Sequence, residues 1–431
     1  MTPHLDPAAT AWLLAATALV LLMTPGLAIF YGGMVRSSGV LNMLMMSFIS
    51  IPLVAVAWLL FGYSLAFGDD AGSGIIGNLG HFGLAGIDPN TLHVVDKSGA
   101  AVPELLFVTF QLTFAILTVA LISGAIADRA KFSAWMIFVP AWALIVYAPI
   151  AHWVWTPDGW LAKLGALDYA GGLVVEIASG ASALAMALVL GPRVGFKTDA
   201  MRPHNLPFVL LGAGLLWFGW FGFNAGSALA ANGIASAVFL NTLVAGCLGM
   251  LGWLVVEARR DGKPTTFGAA SGAVAGLVAI TPSCGEVNTI GAVIVGLVAG
   301  VVCSFAVSWK FKGNYDDSLD VVGVHFVGGI VGTLLIGFLA TAVMTPNGEK
   351  GLFYGGGLGQ LGKQAVGVLT VAAFAFGVTF LLGKVLDKLI GFRITKEDEI
   401  GGIDFALHAE TAYAEGVHGY APSRIGKPHG H

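Results

Sequence analysis

Charge is what this chain has least of. Only 11% of its 431 residues are Asp, Glu, Lys or Arg, against about 25% in a soluble globular domain. No basic surface is available for a nucleic acid, and no soluble catalytic or DNA-binding domain is expected. Cysteine is as scarce. Cys247, Cys284 and Cys303 lie in or beside apolar stretches without metal-ligand spacing, so no disulfide framework, metal site or other cofactor is indicated. No His-Glu-x-x-His or nucleophile-elbow context supports an intramembrane enzyme. A basic segment ahead of the first apolar run is also lacking, so no cleavable signal peptide is expected and the first helix is read as the insertion signal.

What remains is apolar: 56% hydrophobic residues with a mean hydropathy of +0.83. Runs of about 20 apolar residues, the length a helix needs to cross a bilayer, predict eleven helices at 10–34, 41–66, 104–126, 133–152, 169–191, 207–228, 233–257, 266–282, 288–310, 320–344 and 363–390. A transmembrane β-barrel would instead show alternating segments of about ten residues. The fold class is therefore an all-α membrane protein. Glycine, 61 residues, recurs as small-xxx-small pairs at Gly272/Gly276, Gly296/Gly300 and Gly328/Gly332, which allow close helix approach. Lys and Arg gather in alternate loops (Arg36, Arg129, Lys131, Arg193, Arg259, Arg260), while the others hold only Lys97, Lys163, Lys350 and Lys363. That bias predicts an outer N-terminus and an inner C-terminus. Residues 1–390 are expected to form one membrane domain with a long outer loop at 68–103, and 391–431 a cytoplasmic tail.

Two ionisable side chains break the apolar pattern. Glu176 and His325 each lie eight residues after an aspartate, Asp168 and Asp317. Such groups at bilayer depth are costly and mark ion or proton paths. At about 1.5 Å per residue each lies about 12 Å inward from its aspartate. Helices 5 and 10 are expected to run in opposite directions, so the two groups approach the midplane from opposite faces. That is the geometry of an inverted repeat of helices 1–5 and 6–10. Asp168 reads as a helix N-cap in a supporting role.

Aromatic residues supply a second constellation. Phe110 and Phe114 share one helix face, Trp220, Phe221 and Phe223 precede Ser227, and all of these with Trp155 are read as lying toward the outer side. Singly, each is more often core packing or interfacial belt. Together, aromatic faces and a hydroxyl can hold a small cation, on the order of 2 kcal/mol when desolvated. Glu286, where helix 8 ends, is expected to be solvated. The run Gly357 to Gly362 matches a dinucleotide fingerprint, but it follows no strand and reads as a loop.

Six motifs in order, Pro-Gly-Leu-Ala-Ile-Phe-Tyr-Gly-Gly (25–33), Phe-Gln-Leu-Thr-Phe (110–114), Gly-Ala-Leu-Asp-Tyr-Ala-Gly-Gly (165–172), Trp-Phe-Gly-Phe-Asn-Ala-Gly-Ser (220–227), Thr-Pro-Ser-Cys-Gly (281–285) and Asp-Asp-Ser-Leu-Asp-Val-Val-Gly-Val-His (316–325), resemble the Amt branch of the Amt/Mep/Rh ammonium transporter family. The resemblance implies a homotrimer of eleven-helix protomers in the cell membrane, each with its own pore. It places the outer ammonium site at Phe110, Trp155 and Ser227, and the gate at Phe114 and Phe223. Trp220 lines the pore below, and Asp168 and Asp317 act in support. The family's paired pore histidines fall at Glu176 and His325, the first being a glutamate here. The tail resembles one that packs beneath the trimer and lets a PII signalling protein block the inner face. Ammonium transport with a proton relay through Glu176 and His325 is the expected function. The alternative is an ammonium sensor on the same scaffold, although such relatives usually carry a fused output domain.

Overall fold

A computed structural model describes residues 2–413. The 391–431 tail reading therefore lies partly outside the described residues, from 414 onward. Ten long apolar helices dominate: α1 (Pro7–Met34), α2 (Val40–Phe67), α3 (Glu104–Ile126), α4 (Phe132–Leu164, interrupted at 156–159), α5 (Gly172–Leu190), α6 (Leu206–Gly226), α7 (Gly233–Asp261), α9 (Thr289–Gly313), α10 (Val322–Leu339) and α11 (Gly359–Ile390). The predicted eighth run forms α8 (Thr266–Ile280), only 15 residues long. Thr265 caps its start by accepting the Gly268 N–H, and the Thr281-Pro282 turn ends it. All of its residues from Gly272 to Ile280 are buried, so it serves as core between its neighbours.

The expected helix starts find their chemistry. Asp6 accepts from the Ala8 and Ala9 N–H groups, with Pro7 in the first helical position of α1, where its missing N–H costs nothing. Asn205, Asn232 and Asn288 cap α6, α7 and α9 in the same way. The glycine pairs pack as their spacing suggests. A Cβ at Gly276 would strike the Ala245 carbonyl, and one at Gly300 the Gly249 carbonyl, so α7, α8 and α9 touch backbone to backbone.

The loop at 68–103 is not wholly irregular. A three-stranded sheet of order β1-β3-β2 joins β1 (His4–Leu5), β2 (Leu92–Val94) and β3 (Ala100–Pro103). It ties the N-terminal segment to the base of α3 through strands too short to give a periodic signal. The glycine run also departs from expectation, since Gly359 and Gly362 already belong to α11.

At the opposite end of the bundle, two short helices, α12 (Lys396–Gly401) and α13 (Ile403–His408), fold back onto the loops. The Asp404 carboxylate accepts from the Leu41 and Asn42 N–H groups at 2.9 and 2.8 Å, capping α2. Glu399 accepts from the Val194 N–H and pairs with Arg393. Beside them Arg193 is clamped on Asp316 at 2.9 Å, which holds that carboxyl below its ordinary range despite burial.

Candidate functional site

At the end of the bundle away from the tail, a cavity of about 460 Å³ opens between α2, α3 and α4. Phe110, Phe114, Trp155 and Ser227 line its floor, and Asp69, Asp70, Glu104 and Asp158 its walls. Carboxylates around a low-dielectric mouth raise the local cation concentration. Two histidines are tied into this wall: His152 lies 3.3 Å from Asp70, and His93 lies 3.2 Å from Glu104 while stacking on Phe107 at 3.7 Å. Sequence reasoning missed both pairs. His152 and Asp70 are 82 residues apart, and no spacing rule spans that distance.

On the floor, the Ser227 hydroxyl donates to the Phe223 carbonyl of its own helix at 2.8 Å. Its donor is thereby committed, and its free lone pairs can only accept. The Trp155 indole N–H donates to the Asp168 carbonyl at 3.1 Å, which fixes the ring plane against the cavity. Phe110 and Phe114 meet edge to face at 4.9 Å, and Phe114 meets Trp155 at 5.8 Å. Below them Phe114 stacks on Phe223 at 4.2 Å, and both rings are buried. The stack closes the floor.

Beneath it lies a second, very narrow void of about 10 Å³, roughly the room of one water-sized centre. Leu117, Leu216, Trp220, Glu176 and His325 are among its walls. Glu176 and His325, 1% and 4% exposed, meet with Nδ1 2.7 Å from Oε2, a length typical of hydrogen bonds carrying ionic character. Both residues sit in widened turns of i→i+5 hydrogen bonding, which open α5 and α10, a backbone form that recurs at functional sites. Each turn follows its aspartate. Asp168 accepts from the N–H groups of Gly171, Gly172, Leu173 and Val174, and Asp317 from Val321 and Val322.

Two placements differ from the sequence reading. Trp220 lines the narrow void rather than the open cavity, donating to the Thr281 hydroxyl at 2.8 Å. Phe221, adjacent on the helix, faces away and stacks on Phe239 at 4.0 Å, because neighbouring helical residues do not share a face. Glu286 is not solvated. It is 3% exposed, with one carboxylate oxygen unpaired. Burial, with Glu349 and Asp168 nearby, pushes its carboxyl up to about 8.

A cation-attracting mouth, a stacked aromatic barrier and a buried carboxyl–imidazole pair on one line through an apolar helical bundle define a multi-pass membrane transporter, not an enzyme. The chain belongs to the Ammonium Transporter Family, whose profile matches residues 11–413. It is 55% identical to an ammonium transporter of Mycobacterium tuberculosis over 95% of this chain and 90% of the relative, and 45% identical to ammonium transporter Amt1 of Archaeoglobus fulgidus over 94% and 98%. Among solved structures, Candida albicans Mep2 superposes with a TM-score of 0.85 at 35% identity, covering 91% of this chain and 88% of that one. A structure named Sensor Amt Protein superposes at 0.84 with 29% identity, covering 93% and 98%. The protein is accordingly a multi-pass protein of the cell membrane.

Proposed function

We propose that the chain moves ammonium by separating its charge: NH4+ binds among Phe110, Trp155 and Ser227, gives up a proton near the Phe114/Phe223 gate, and crosses as NH3 past Trp220. The proton travels by way of Glu176 and His325, so net transport is electrogenic. The observation that carries this reading is the 2.7 Å contact of Glu176 with His325 on the wall of the narrow void. A bare cation at mid-bilayer is too costly for an otherwise apolar channel, whereas a carboxyl and an imidazole can pass one proton between them as a coupled pair. The Ser227 oxygen, able only to accept, rewards an N–H donor over a spherical cation of similar size. In proteoliposomes of purified protein, an ammonium step should evoke current and an equal potassium step should not. Equal currents refute the selectivity, and electroneutral ammonium uptake refutes the relay.

In this reading the cavity end faces outward and the tail end the cytoplasm. The buried α8 counts as the eleventh crossing, α1–α5 and α6–α10 form the inverted repeat, and three protomers assemble. Residues 1–390 are the transport unit and 391–431 a regulatory segment through which a PII protein stops flux. The Asp404 cap on α2 supports this, since it ties the tail to a pore-forming helix. Truncation after Ile394 should leave a folded protein that PII no longer inhibits, and unchanged inhibition refutes the regulatory claim. A sensor reading is favoured only by the likeness to Sensor Amt Protein, and absence of ammonium current with retained binding would select it.

A further inference from the structure

Gln364 lies in the apolar α11, outside every motif discussed above, and is fully buried. A primary amide there is costly unless each polar atom is paired. Here all are. Its Oε1 accepts from the Leu167 N–H at 2.7 Å and from the Gln360 side chain at 3.0 Å, and its Nε2 donates to the Leu167 carbonyl at 2.7 Å and the Thr333 carbonyl at 3.3 Å. Two donors and two acceptors exhaust what an amide has. The side chain thus pairs with the Leu167 backbone as an adjacent strand would, while Gln360 holds the Gly165 carbonyl at 3.0 Å.

The segment so gripped is the one that builds the floor of the cavity. One residue beyond Leu167, the Asp168 carbonyl receives the Trp155 indole N–H, and the Asp168 carboxylate receives the first N–H groups of α5. One residue further, the Tyr169 N–H reaches the Pro282 carbonyl, and the Tyr169 side chain lines the cavity. Thr333, the remaining partner, lies two turns beyond His325 on α10. One amide therefore touches both the segment that launches α5 and the helix that carries His325.

We infer that Gln364 is a positioning residue: from α11 it fixes the Leu167-Asp168 segment, and through it the plane of Trp155, so that it sets the affinity of the outer site. The inference rests on the ammonium-site reading above. It gives α11 a part in substrate binding, beyond filling the bundle.

The test is the concentration dependence of ammonium current in proteoliposomes for Gln364→Leu, Trp155→Phe and the double variant. Loss of the grip should raise the half-saturating concentration about tenfold, the scale of one hydrogen bond, with maximal current per folded protein little changed. Trp155→Phe, which lacks the indole donor, should raise it by itself. In the double variant the Gln364 effect should largely vanish, because both changes act on one geometry. Effects that multiply in full, or a maximal current that falls at unchanged half-saturation, would overturn the inference in favour of a purely structural glutamine. Should Gln364→Leu fail to fold, Gln364→Met, closer in shape, carries the same readouts. Failure of both to assemble also overturns it, making Gln364 a folding residue. A Trp155→Phe variant with normal half-saturation would instead sink the site reading. A responsive Trp155→Phe beside an inert Gln364→Leu sinks only the inference.

Discussion

Asp168 and Asp317 each begin a helix that delivers an ionisable side chain to the pore, yet their surroundings differ. Asp168 is held by four backbone N–H groups, whereas Asp317 is held by two and has the Lys310 ammonium against its own carbonyl at 2.9 Å and against Asp320 at 2.6 Å. N–H groups and the positive end of a helix stabilise a carboxylate without cancelling its charge. A lysine cancels it. At the cavity end the negative potential thus remains for a visiting cation, while at the tail end it is neutralised where no cation needs to be drawn in. The same local device serves attraction at one end and fold at the other.

The largest expected effect lies where the two helices meet. Glu176→Ala should lower proton-coupled ammonium current about a hundredfold or more, the usual scale for removing an acid–base group, and should admit a potassium leak through the vacated space. Glu176→His should restore current with altered pH dependence. Wild-type current and pH dependence in Glu176→Ala would refute the relay and leave the glutamate structural.

A smaller effect tests the aspartates directly. Asp168→Asn removes the charge but keeps one acceptor oxygen, so the half-saturating ammonium concentration should rise about tenfold, about 1.4 kcal/mol. Asp317→Asn should leave it within about twofold and show instead in protein yield. Equal shifts in half-saturation for the two variants would break the comparison.

The smallest concerns the neighbour on which Asp168 acts. The Glu286 carboxyl, raised to about 8 mainly by burial and further by Glu349 and Asp168, keeps its proton in the folded protein over a range in which an unfolded glutamate, near about 4.3, has lost it. Folding therefore binds a proton across that window, and stability falls as pH rises from about 4.5 through about 8. Glu286→Gln, neutral throughout, should flatten the pH dependence of thermal unfolding and melt higher than the parent near pH 8. An unaltered slope would show that this carboxyl titrates normally.

The spans were legible because lipid demands long apolar runs, and Glu176 and His325 stood out against that background. Phe110, Phe114, Phe223 and Ser227 were found by helical spacing, which also misled: Phe221 follows Trp220 in sequence but points outward from the cluster. Glu286 was misjudged because a carboxyl at a helix end normally reaches water, and only the packing of the 340 region, through the Val287–Ala340 bridge, encloses it. Gln364 was illegible for another reason. Its partner is the Leu167 backbone, 197 residues away, and a backbone group leaves no trace in side-chain pattern.

The widened turns that hold Glu176 and His325 have a consequence for how this pore tolerates change in chain length. An i→i+5 turn stores one residue more than a regular helical turn. Losing a single residue there, Val175 for instance, would let α5 close into ordinary helix and swing all that follows by about 100°. Hydropathy and composition would be almost untouched, and the span would still insert. Glu176, however, would turn its carboxyl from His325 toward a neighbouring helix. The two chains of residues behave like gears meshed at one tooth, so the pore is far more sensitive to insertion and deletion at these two turns than to most substitutions along the same helices.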